Sequence, residues 1–217
     1  MTMDERVEQA DFLYQRAVFG GDAEAPAAAD RLLDAAEADL ALVRGRVAHA
    51  RFLAERVADA EELALFERAA QLYRRLGDGR GEGEALFWIG AFHQVVRDDT
   101  EQALPPFTRS LELATAAGDG LTASYALRHL AFADHMAGRL EQARTRFEES
   151  TRLRRELGFL PGVAANLVGL AYLAAQQDRR TDAAALLAEA TELADTAGAH
   201  GVLGWVAEAR EELALSS

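Results

Sequence analysis

Tyr125, Arg128, His129, Phe132 and His135 carry the side chains of this chain best suited to chemistry. At helical spacing they fall along one side of a single helix. Such a side is too polar to be buried without partners. A guanidinium, two imidazoles and two aromatic rings on one face suit the capture of a carboxylate through charge-assisted hydrogen bonds. The same imidazoles suit proton transfer, because histidine titrates near neutral pH. Matching positions in neighbouring segments add Glu84, Trp88 and Gln94 upstream, and Tyr172 and Gln176 downstream. Phe132 and Tyr172 are expected to stack as neighbours. Arg44, Arg51 and Glu55 extend the row.

No motif marks a nucleophile, so no catalytic residue is assigned. His93, His129 and His135 lie on neighbouring predicted helices, with Glu84 or Asp134 available to orient one of them. None are spaced i, i+4, and no helix presents a ready metal-binding pair. The run Gly77-Asp-Gly-Arg-Gly-Glu-Gly83 lacks the Lys-Ser/Thr ending of a phosphate loop and reads as a turn between units. The chain has no cysteine, which excludes disulfides, thiolate metal sites and thiol catalysis. Neither a metal nor a cofactor is expected. The residues favour a non-catalytic binding module. The alternative is a small-molecule-processing enzyme or ligand sensor using His129 or His135 in an enclosed pocket.

The elements that must position these side chains repeat. Phe66, Phe107, Phe147 and Leu187 stand 41, 40 and 40 residues apart, and each is followed by a glycine: Gly77, Gly118, Gly158 and Gly198. An apolar anchor and a helix-ending glycine at a fixed period mark stacked helical hairpins. Second helices are predicted over 59–76, 100–117, 140–157 and 181–197, and first helices over 83–96, 122–137 and 162–176. Gly90, Ala131 and Ala171 place a small residue at one constant position per hairpin, where two helices approach closely. Upstream the period shortens, which predicts hairpins at 4–38 and 40–77 with Asp39 between them and Ala50 as the small residue. Further hairpins are expected at 81–118, 121–158 and 161–198, with a capping helix over 201–215. Pro105 and Pro106 fall inside a predicted helix, which should begin late or carry an irregular first turn.

The spacing resembles the tetratricopeptide repeat. Leu86-x2-Ile89-Gly90 with Ala103-x3-Phe107 fits the family pattern, as do Leu127-x2-Leu130-Ala131 with Ala143-x3-Phe147 and Leu167-x2-Leu170-Ala171 with Ala183-x3-Leu187. The period of about 40 residues resembles the longer variant found in bacterial multi-repeat regulators. The family's tyrosine, three residues after the glycine, is replaced by His93, Asp134 and Ala174. The resemblance implies an all-α, right-handed superhelical solenoid of antiparallel helix hairpins, about five hairpins plus a C-terminal capping helix, in one domain over 1–217. It further implies that the first helices line a concave groove. That groove is expected to take a protein or peptide partner, or a small acidic molecule.

Charge narrows the partners. Thirty-six acids against 23 bases give a net charge of −13, which disfavours direct attachment to nucleic acid or to an anionic membrane. The stretch Phe159 to Ala175 carries no charge, but its Pro161, Gly162 and Asn166 argue for a helix buried by neighbours rather than a membrane span. The N-terminus lacks a basic start followed by an apolar run, so a cytoplasmic location is expected. Exposed apolar ends of the stack make a homodimer possible.

Overall fold

The computed structural model describes residues 1–214. The chain divides into two compact units, Met1–Ala117 and Gly118–Ser217. Among the described residues the regular structure is helical, and consecutive helices within each unit pack as adjacent pairs, as in a tetratricopeptide-like solenoid.

The first unit holds α1 (Met3–Gly20), α2 (Ala25–Glu55), α3 (Glu62–Leu76), α4 (Gly79–Ala91) and α5 (Thr100–Ala117). Local chemistry sets the ends. Thr2 and Glu5 form a capping box at α1, with the Thr2 hydroxyl accepting from the Glu5 N–H and the Glu5 carboxylate from the Thr2 N–H. Asp78 accepts from the Gly81 N–H and starts α4, while Gly77 closes α3 at φ 72°. Glycine-rich 77–83 is therefore a turn only at its first two residues and helix thereafter. α4 runs on into a π turn, Phe92–Val96, where the Arg97 N–H reaches back to the Phe92 carbonyl.

Asp39 is not a joint between hairpins. It lies inside α2, a continuous helix of 31 residues that serves both expected hairpins. Its carboxylate accepts from Arg6 of α1 and from the Tyr73 hydroxyl of α3, so it ties three helices together. The close-packing residue is Gly45 rather than Ala50. A Cβ at residue 45 would stand 2.5 Å from the Phe66 ring, whereas Ala50 is exposed.

Pro105 and Pro106 neither delay nor break α5, which starts at Thr100 with Asp99 accepting from the Gln102 N–H. The carbonyls deprived of donors belong to Glu101 and Gln102, both exposed residues. Water can serve them there, which blunts the usual penalty.

The second unit holds α6 (Gly120–Met136), α7 (Leu140–Glu156), α8 (Leu160–Gln176), α9 (Arg180–Thr196) and α10 (His200–Glu212). The anchors Phe147 and Leu187 are fully buried, as are Phe66 and Phe107 in the first unit. Each removes an apolar side chain from water, stabilising by about 2 kcal/mol. The uncharged stretch becomes α8, buried from Gly162 to Gly169 between its neighbours. No described helix is long and apolar enough to cross a membrane. The closing helix is α10; Leu215, placed near its expected end, lies outside the described residues.

Candidate functional site

The ten candidate residues divide between the units. Glu84, Trp88 and Gln94 belong to the first, and the remaining seven to the second.

In the first unit Trp88 acts as packing. Its half-buried ring stacks on Phe66 at 5.7 Å and meets His49 edge-on at 5.3 Å, with the Arg46 guanidinium above it. Trp88 thus joins α4 to α2 and α3. Glu84 accepts from Arg46 at 3.3 Å, and Gln94 sits half-buried in the π turn. Beneath Trp88, His49 Nδ1 lies 2.7 Å from Glu62 Oε1, both groups buried. Burial pushes the Glu62 carboxyl up, with the contact to His49 opposing.

In the second unit α6 presents Tyr125, Arg128, His129, Phe132 and His135, each partly exposed. Contacts tie this row to α8: His135 Nε2 lies 2.8 Å from Gln176 Oε1, and Arg128 donates to the Ala165 carbonyl at 2.6 Å. The row therefore comes from the first helices of consecutive hairpins. Its aromatic members do not pair as expected. Phe132 meets Phe147 edge-on at 5.1 Å, and no ring contact joins it to Tyr172 among the described residues. The Tyr172 hydroxyl donates to Glu212 of α10 at 2.6 Å, and burial together with that carboxylate pushes the phenol up to about 12.

Below this surface lies a polar cluster that joins Arg128 to residues outside the candidate set, Arg154, Asn166, Ser124, Ser150 and Thr151. Arg154 of α7 is 1% exposed and donates to Ser124 Oγ, the Gly162 carbonyl and Asn166 Oδ1. Arg128 also donates to Asn166 Oδ1, at 3.0 Å, so two guanidiniums converge on one amide oxygen. The Asn166 amide donates in turn to Ser150 Oγ and Thr151 Oγ1. The rings of Tyr125 and Phe159 flank Arg154, and Phe132 lies 4.6 Å from Arg128. Burial pushes Arg128 down to about 9, with Arg154's charge adding to it, and Arg154 down to about 10. Sequence comparison at the repeat spacing holds the signal for this cluster: Ala114 and Ala194 stand where Arg154 does.

Asp134, an expected partner for a histidine, is committed elsewhere. It is 2% exposed and accepts from Arg139 at 2.8 Å and Arg146 at 2.6 Å. The acid–base alternative built on it is not favoured. No group of three or more His, Asp or Glu among the described residues could hold a metal ion.

Anchored hairpins whose first helices share a face define a tetratricopeptide-like helical repeat protein. The tetratricopeptide repeat family model matches residues 83–156, which run from within α4 to the end of α7, so this segment is similar to tetratricopeptide repeats. Such repeats generally mediate protein–protein interaction. Comparison with curated proteins gives no match.

Proposed function

We propose that the second unit recognises a protein or peptide partner on the shared face of α6 and α8. The observation that carries this reading is the row of partly exposed Tyr125, Arg128, His129, Phe132 and His135, linked to α8 through Gln176. Aromatic surface supplies binding energy at low entropic cost, and the polar tips supply orientation. Arg128 favours a partner that brings an acidic group, since a charge-assisted hydrogen bond is stronger than a neutral one. A small acidic molecule with an apolar body would meet the same requirements. In the first unit Glu84 and Gln94 offer lesser contacts, with Trp88 mainly structural.

Site-specific photo-crosslinking tests the reading. A benzophenone side chain at His135 or at Gln176 should trap the same discrete partner, and one at Glu148 or Arg152, exposed on α7, should not. Equal trapping from all four positions would overturn it.

A further inference from the structure

The cluster around Arg154 has an internal control in the neighbouring hairpins. Forty residues before and after Arg154 stand Ala114 and Ala194, both fully buried. Around Asn166 the same spacing gives Ala126 and Val206, also buried, and the position 40 residues after Arg128 is Val168. Neighbouring hairpins thus pack on apolar side chains where this one holds two cations and an amide. Packing alone does not call for the exchange. Burying a guanidinium costs several kcal/mol, and the usual compensation is a carboxylate.

None is present. Among the described residues no Asp or Glu pairs with Arg128 or Arg154, and their acceptors are two backbone carbonyls, one hydroxyl and one amide oxygen. Arg154 Nη2 is buried with no hydrogen-bond partner. Asp134, on the same helix as Arg128, is held by two other arginines. Two adjacent positive charges in a chain of net charge −13 therefore stand without a counter-charge.

We propose that Arg128 and Arg154 form an anion site that takes an oxyanion group, carboxylate or phosphate. Arg128 is the point of access. It is partly exposed, spends Nη1 on Ala165 and Asn166, and lies over the Phe132 ring. A guanidinium fixed in this way presents its remaining donors as a preformed fork. Arg154 lies behind it and deepens the positive potential from a position that water does not reach. Asn166 holds the two guanidiniums in place against their mutual repulsion. The site opens on the face proposed for partner recognition but can be tested with simple ions and no partner, so the two readings can fail separately.

The test is thermal unfolding of the full chain, titrated separately with sodium acetate and sodium phosphate at ionic strength held constant with sodium chloride. A ligand that binds only the folded state raises Tm in a saturable manner. At least one ion should do so, and which one does identifies the oxyanion. Arg128→Gln should weaken the midpoint by about tenfold or more, the loss expected when a charge-assisted contact is removed. Arg109→Gln, on exposed α5 surface, should leave it unchanged. If Arg128→Gln does not fold, Arg128→Lys replaces it, keeping the charge and losing the fork. No saturable rise with either ion, or an unchanged midpoint in the Arg128 variant, overturns the proposal.

Discussion

Gly90 of α4 lies so close to Phe107 of α5 that a Cβ at residue 90 would stand 2.6 Å from the ring. Phe107 is fully buried, so its ring has no free side to retreat into. Ordinarily a glycine within a helix costs about 1 kcal/mol relative to alanine. Here overpacking outweighs that gain, and Gly90→Ala should lose about 1–3 kcal/mol of stability. Gly204 of α10 has no atom within 4 Å of a built Cβ, so Gly204→Ala should gain up to about 1 kcal/mol. Urea denaturation of the two variants checks the opposite signs.

The 40-residue period made the anchors legible, because a buried Phe or Leu and a left-handed glycine recur wherever a hairpin closes. Phe107, Phe147 and Leu187 are all fully buried, and Gly118, Gly158 and Gly198 all have positive φ. Where the period breaks, pattern gives no guide. Asp39 has the composition of a joint, yet its contacts to Arg6 and Tyr73 require helix on both sides. The face of α6 was readable from helical spacing, whereas the roles of its residues depend on depth. Spacing alone does not distinguish Trp88, which cements three helices, from His135, which meets α8 at the surface. Spacing does not single out Arg154, because it sits on a second helix among other arginines, Arg152 and Arg155, which are exposed.

The buried His49–Glu62 contact predicts a pH dependence. Burial raises the Glu62 carboxyl above its ordinary 4.5, with His49 opposing in part. A carboxyl whose folded value is raised contributes fully below its unfolded value, and that contribution falls as pH rises through the folded one. Glu62→Gln removes this titration. The stability of the native chain relative to Glu62→Gln should therefore decline as pH increases from about 4.5 upward. Parallel Tm–pH profiles would refute the assignment, as would a difference that grows in favour of the native chain.

Asn166 separates two ways of losing the buried polar cluster. Asn166→Ala removes the oxygen shared by Arg128 and Arg154 while leaving both charges in place, and it takes the amide donor from Ser150 and Thr151. Breaking a buried network in this manner should cost about 3 kcal/mol. Arg154→Met combined with Asn166→Leu removes a charge and its acceptor together and refills the space with apolar atoms. The hydroxyls left behind keep backbone acceptors: Ser150 on Ser124, Thr151 on Phe147 and Ser124 on Leu121. Arg128 keeps the Ala165 carbonyl and its partly exposed edge. The double variant should therefore fall within about 1 kcal/mol of the native chain or exceed it, since apolar replacement of buried charge is often neutral or stabilising. Denaturation midpoints with unchanged m-values decide the comparison. A double variant no better than Asn166→Ala would mean that the arginine stabilises this hairpin in its own right, and the charge would then be explained by folding rather than by a ligand.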